Sequence, residues 1–171
     1  MKRKYLILFS LSGLVLCCDQ LAKRIVQGAL TLGDRHPLIP GFLTLCYTRN
    51  NGFAFGFLQH APPSIQNIFF IGVPAFALIL IILIFIKLQD NQILTSIALT
   101  TILAGAVGNL VDRFNYGYVV DFIEFHIKNT HLPAFNLADG SILVGVLIMI
   151  VGTFRQENRG GATDGNAEGS A

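Results

Sequence analysis

Long apolar stretches alternate with short polar ones along the chain, and the apolar stretches set its architecture. From Ala61 to Ile86, 26 residues pass without a charge, and Ile68 to Ile86 is almost wholly apolar. A second uncharged run, of 21 residues, goes from Asn91 to Val111. A third covers 15 residues, Gly140 to Phe154, and reaches spanning length if it starts near Asn136. The first, Tyr5 to Cys18, has 14 residues and spans only if its helix continues past Asp19. About twenty apolar residues cross a bilayer as a helix. The pattern therefore predicts four transmembrane helices, near residues 5–25, 66–87, 92–112 and 137–155.

Two intervening segments have a different period. Phe42-Leu43-Thr44-Leu45-Cys46-Tyr47-Thr48 is β-prone and is bounded by Pro40-Gly41 and Asn51-Gly52, and Tyr118 to Phe125 is a second such piece. They predict β-rich outer segments near 33–58 and 116–128, forming a small sheet at the membrane surface. The expected fold class is a membrane protein, mainly α, with four transmembrane helices and a small extracytoplasmic β-sheet cradle in one domain, residues 1–155. Residues 156–171, rich in Gly, Ala, Asn and Glu, are expected to be a disordered cytoplasmic tail.

Composition agrees with the spans. Of 171 residues, 53% are hydrophobic and 13% charged, with a mean hydropathy of +0.60. A soluble domain carries about 25% charged residues, so a nucleic-acid-binding domain, a disordered chain and an ordinary cytosolic enzyme are excluded. The net charge of +2 says little about partners; the positions of the charges say more. Lys2, Arg3 and Lys4 ahead of Tyr5 to Leu16 also outline a secretory signal peptide. The residues before Cys17 and Cys18 are not small, however, and three further spans follow, so this stretch is read as an uncleaved first span. Six Lys and Arg fall on each side of the membrane, and the N-terminal triplet breaks the tie in favour of both termini in the cytoplasm. Cys17, Cys18 and Cys46 have no metal-ligand spacing, and the first two are read as small buried hydrophobes.

With so few charges, each acid near a span end needs a partner or a function, because a buried acid in a spanning helix is costly. Five stand there: Asp19, Asp112, Asp121, Glu124 and Asp139. Asp19 and Lys23 lie four apart on one helical face and can pair. Such a pair either lets the first helix end at the interface or holds polar lipid or loop backbone. Asn109, Asp112 and Arg113 share a second face, where Asp112 beside Arg113 reads as a locally neutralised scaffold acid. Asp121 stands among Val119, Val120, Phe122 and Ile123 with no adjacent cation. It is either a water-facing acid on an edge strand or a desolvated carboxyl with a raised pKa. Asn136-Leu137-Ala138-Asp139 has the form of a helix cap with an acid three residues on, which also sets a carboxylate against the positive end of a helix. Two carboxylates, one held neutral and one held as the anion, form an acid/base pair that can activate water. Other chemistries are poorly represented: the serines lack a nucleophile elbow, the four histidines lie in outer loops, and no zinc or phosphate-loop motif occurs.

Five ordered motifs then carry a resemblance. Asp19-Gln20-Leu21-Ala22-Lys23, Asn50-Asn51-Gly52-Phe53-Ala54-Phe55, Gly105-Ala106-Val107-Gly108-Asn109-Leu110-Val111-Asp112-Arg113, Val119-Val120-Asp121-Phe122 and Ala134-Phe135-Asn136-Leu137-Ala138-Asp139 together resemble the lipoprotein signal peptidase family, also called signal peptidase II. The resemblance implies an aspartic endopeptidase of the bacterial cytoplasmic (inner) membrane, working at the outer face. Its implied substrate is a diacylglyceryl-prolipoprotein, cut just before the lipidated cysteine. It implies membrane lipid as surroundings, a monomer, and no cofactor, metal or nucleic acid. Asp121 and Asp139 match the catalytic pair. Asn50, Gly52, Asn109, Arg113, Asn136, Asp19, Lys23 and Asp112 match positions that bind substrate or support the site. Ala104 and Gly140 depart from residues common in the family, glycine and serine, and neither departure removes a reactive group.

Two other functions compete. A transporter's proton relay would place acids at mid-membrane depth, and none interrupts the middle of the last three spans. A purely structural subunit has no need of so many paired polar groups on one side. The aromatic-rich stretch Asn50 to His60 is expected either to fold over substrate or to anchor in the interface.

Overall fold

The computed structural model describes residues 2–52, 62–127 and 130–164, with no account of the side chains of residues 63, 131 and 155–164. The loop expectation for Asn50 to His60 thus lies mostly outside the described residues, as does the end of the tail. Four helices long and apolar enough to span a membrane are present among the described residues. The first, α1 (Arg3–Ala29), runs unbroken through Asp19 for ten residues more, so the acid sits within the helix rather than ending it. A second span is built from α2 (Pro63–Asn67), a wide turn at Ile68–Gly72 and α3 (Val73–Lys87). Next come α4 (Ile93–Tyr116) and α5 (Leu137–Asp164), the latter continuing into residues for which composition predicts disorder.

At one end of the bundle lies an antiparallel sheet of β1 (Arg35–Ile39), β2 (Leu43–Asn50), β3 (Val119–Ile127) and the two-residue β4 (Thr130–His131), in that order. The chain enters β3 through Gly117, whose φ of +75° and N–H bond to the Arg113 carbonyl close α4 in a left-handed cap. β3 is an interior strand, paired with β2 on one side and with β4 and Phe135 on the other. Asp121 is therefore not an edge acid. An irregularity in β2 between Leu45 and Thr48 sets Asp121 opposite Thr48 and buries both Cys46 and Tyr47. Such a bulge bends a strand and re-aims its side chains. Val119 to Phe122 are all buried, and Val120 and Phe122 pack with Val26 of α1 and Tyr47.

α4 is the central helix and packs against α1, α3 and α5. Its small residues permit close approach: a Cβ on Gly105 would strike the Ala138 carbonyl and the Ser141 hydroxyl, and one on Gly145 of α5 would lie 2.7 Å from the Ala98 carbonyl. At the far end from the sheet, Lys4 is buried and donates to the carbonyls of Ile86 (2.9 Å) and Leu88 (2.6 Å). This cation on the C-terminal end of α3 brings the N-terminus and the α3–α4 connection to the same side. Cys17 and Cys18, expected to be buried, are exposed on the outside of the bundle. In a bilayer that surface meets lipid, which suits a small apolar side chain as well as a core does. Cys46 is buried, and desolvation pushes its thiol up to about 11.

Candidate active site

The polar residues of the five motifs converge where the sheet meets α1, α4 and α5. Asn136 caps α5, and its Oδ1 accepts the Asp139 N–H (2.9 Å) while the Asp139 Oδ2 accepts the Asn136 N–H (3.3 Å). This reciprocal pair satisfies donors that a helix start leaves orphaned, as the Asn-x-x-Asp spacing predicts. The Asn136 amide also faces the sheet, donating to Asp121 Oδ1 (2.7 Å), the Val120 carbonyl (3.2 Å) and Asn109 Oδ1 (3.2 Å). Asn109, from α4, donates to Asp139 Oδ1 at 2.7 Å. One asparagine therefore bonds both acids, and a second ties α4 to Asp139.

Asp121 is 2% exposed and receives a further bond on Oδ2 from Asn50 Nδ2 (3.0 Å). Asn50 is itself fixed, because its Oδ1 accepts the N–H of Gly52 (2.8 Å), whose φ of +77° favours glycine. Burial pushes the Asp121 carboxyl up to about 6, against the lowering effect of the Asn50 and Asn136 donors and with the charge of Asp139 adding to the rise. Of the two readings of this acid, the desolvated carboxyl is the one the fold contains.

A buried cation braces the two acids from behind. Lys23 Nζ lies 2.9 Å from Asp19 and 2.9 Å from Asp112, and donates to Asn109 Oδ1 at 3.1 Å. The Asp19–Lys23 pair is as the spacing predicts. Asp112, expected to pair with Arg113, pairs with Lys23 instead. The next residue on a helix points about 100° away, and Arg113 turns toward the ring of Phe70, 4.7 Å from its centroid. Each of these two acids also accepts a backbone N–H. Asp19 Oδ1 accepts the Ala138 N–H (2.9 Å), and Asp112 Oδ2 accepts the Val120 N–H (3.1 Å). Ala138 and Val120 each immediately precede one member of the Asp139–Asp121 pair. Gln20 closes the bracket, donating to Asp112 Oδ1 at 2.9 Å and to the Gly108 carbonyl at 3.2 Å. Gly108 is needed there, since a Cβ would lie 2.8 Å from Asp19 Oδ2.

All ten residues marked by the resemblance thus belong to one region. Glu124 does not join them; its partner is Arg35, at 2.7 Å on the sheet. Gln20 stands inside the first motif with nothing in the sequence to mark it as a partner of Asp112, and the two backbone donors carry no sequence signal. The contact between Arg113 and Phe70 has no sequence signal either, since Phe70 sits in an apolar run like any other.

Comparison with known proteins agrees with the five motifs. Residues 11–155 match the family described as signal peptidase (SPase) II. A lipoprotein signal peptidase from Syntrophus aciditrophicus is 42% identical over 91% of this chain and 97% of its own length. One from Geobacter metallireducens is 40% identical, covering 93% and 97%. A bacterial membrane enzyme solved by the in meso method superposes with a TM-score of 0.75 at 34% identity, covering 91% of this chain and 90% of that one. The chain therefore belongs to the signal peptidase II family and is a multi-pass bacterial membrane protease.

Proposed function

We propose that the chain removes signal peptides from bacterial prolipoproteins, cleaving just before the diacylglyceryl-modified cysteine, with Asp121 and Asp139 as a dyad around one activated water. The carrying observation is the Asn136 side chain, which bonds Asp121 through its amide and the Asp139 backbone through its oxygen. Asp121 holds the shared proton, because its buried carboxyl is pushed up to about 6. Asp139 takes the base's part at the head of α5, where the Asn109 amide holds its Oδ1 at 2.7 Å.

The cycle balances with these two groups alone. Asp139 takes a proton from water as its oxygen bonds to the scissile carbonyl carbon, and Asp121 gives its proton to the carbonyl oxygen. The resulting gem-diol returns a proton to Asp121 as it collapses. Asp139 delivers its own proton to the departing nitrogen, the C–N bond breaks, and the dyad is reset. Asn50, with Gly52 behind it, and Asn136 hold Asp121, while Asn109 holds Asp139. Asp19, Lys23 and Asp112 fix the strand and helix that carry the pair. Arg113 stands one residue beyond Asp112 on α4, with its guanidinium 4.7 Å from the Phe70 ring centroid.

The lipid on the substrate cysteine keeps the scissile bond at membrane depth, where a sheet strand and a helix start meet. In this reading the protein is a monomer of the cytoplasmic membrane, with both termini inside and the sheet outside. Support for that arrangement comes from Lys4, which joins the basic N-terminus to the α3 end that carries Lys87. The test is purified protein in detergent with lipidated and unlipidated prolipoprotein. Release of signal peptide from the lipidated form alone is expected; equal cleavage of both, or of neither, overturns the specificity or the activity.

A further inference from the structure

The second span starts irregularly, and its irregularity faces the site. At Ile68–Gly72 the helix widens by one residue, so that the Val73 N–H reaches the Ile68 carbonyl, five residues back. Wide turns of this kind are rare and frequently mark functional sites. Here the turn sends Phe70 inward, while its neighbours Ile68 and Phe69 point outward.

The Phe70 ring serves two neighbours. The Arg113 guanidinium lies 4.7 Å from its centroid. The ring also fills the space that a side chain on Gly52 would need, because a Cβ there would collide with Phe70 Cδ2 and lie 2.7 Å from Cε2. Gly52 anchors Asn50, and Asn50 bonds Asp121. Arg113 has a buried Nε with no hydrogen-bond partner among the described residues. A buried donor ordinarily costs stability when unpaired. A cation held by a ring face keeps such a donor uncommitted, and so available to a peptide carbonyl.

We infer that Phe70 is a positioning residue for the peptidase reaction: its ring, turned inward by the wide turn, fixes the Arg113 guanidinium and backs the Gly52 turn that carries Asn50, the residue bonded to Asp121. The inference rests on the peptidase reading above. Its content is that an aromatic face, rather than bulk alone, is required at position 70.

Cleavage of lipidated prolipoprotein by wild type, Phe70→Leu and Phe70→Tyr tests the requirement. Phe70→Leu keeps apolar volume and loses the ring, and should lower kcat/KM roughly tenfold, the scale of a desolvated cation–π contact. Phe70→Tyr should stay within about twofold of wild type, since the ring face is kept. Phe70→Met replaces the leucine variant if that one does not fold. A second arm measures heat denaturation in detergent for Phe70→Leu, Arg113→Gln and the double variant, and the two substitutions should be non-additive. Wild-type activity from Phe70→Leu, equal loss from Leu and Tyr, or additive stabilities would each overturn the inference. A wild type that fails to cleave the lipidated substrate sinks the peptidase reading instead, while the stability arm still decides the contact.

Discussion

Helices α3 and α4 have the same task, crossing a bilayer, and solve it in opposite ways. α3 is apolar all round and buries only Leu78 and Phe85, while Phe76, Ile79, Leu83 and Ile86 face outward. α4 is the less apolar helix and the more buried one, enclosing Ser96, Thr100, Thr101, Gly105, Gly108, Asn109 and Asp112. In water this order would be inverted. In lipid, apolar surface gains nothing by leaving the solvent, so association depends on close packing and on polar groups that must find partners inside. Of these two spans the less apolar one is therefore the one to search for function, and it contributes Asn109 and Asp112 to the acid network.

The sharpest break in the comparison comes at the sheet end of the network. Asp121→Asn and Asp139→Asn should each reduce cleavage of lipidated prolipoprotein by about 10³-fold or more, since each removes a proton-transfer group. Both keep the shape and part of the hydrogen bonding, so both proteins should still fold in the membrane. Signal-peptide release by either variant near the wild-type rate would dissolve the proposed dyad. Ile79→Ala, on the lipid side of α3, should leave the same assay unchanged.

Lys23 is the next largest. Substitution by Met leaves Asp19 and Asp112 buried without their common cation, and breaking a buried pair costs about 3–5 kcal/mol. Each acid also accepts a backbone N–H, Asp19 from Ala138 and Asp112 from Val120, so a loss here should also loosen the strand and helix start that carry Asp121 and Asp139. Lys23→Met should lower the heat-denaturation midpoint and reduce activity together. Removing the charge of one acid in the same protein, Asp19→Asn with Lys23→Met, should restore part of the stability. A Lys23→Met protein as stable as wild type would mean that the bracket is incidental.

How much of this was legible beforehand divides along the same line. Spans, strands and the cap of α5 could be read, because periodicity and the Asn136–Asp139 spacing are local. The pairing of Asp19 with Lys23 could be read for the same reason, being one helical turn. The partner of Asp112 is not legible, since its cation arrives from α1 and nothing in the α4 sequence shows which helix will cross it. Asp121 remained ambiguous because its environment depends on the bulge in β2 and on the second partner of β3. Phe70 was invisible: its direction comes from one wide turn within an unbroken apolar run, and a side chain's direction there is not a property of composition.

A smaller contrast isolates packing from charge. A Cβ on Gly108 would lie 2.8 Å from Asp19 Oδ2, whereas one on Gly140 would meet nothing within 4 Å. Gly108→Ala should therefore cost about 1–3 kcal/mol, as overpacking does. Gly140→Ala should be neutral or stabilise by up to about 1 kcal/mol, through the lost freedom of the unfolded chain. Equal effects at the two positions in heat denaturation would show that the face of α4 against α1 is looser than its contacts imply.

The finest test moves a pH limb without abolishing the reaction. In the proposed cycle Asp121 must carry its proton, so kcat/KM of the free enzyme should fall as pH rises through about 6. The Asn50 amide bonds the Asp121 carboxyl and favours its ionised form, holding the pKa below where burial alone would set it. Asn50→Ala removes that donor while leaving Asn136 and burial in place. The carboxyl then keeps its proton to higher pH, and the alkaline limb should move upward. Stability follows the same sign. Because the folded pKa lies above the ordinary 3.8, the contribution of Asp121 is fully present below that value and is lost as pH rises through about 6. In Asn50→Ala the upper end of that window should rise with the limb. Profiles of cleavage and of heat denaturation measured on one preparation must shift together; a limb that stays fixed, or moves down, would take the proton from Asp121 and assign it elsewhere in the dyad.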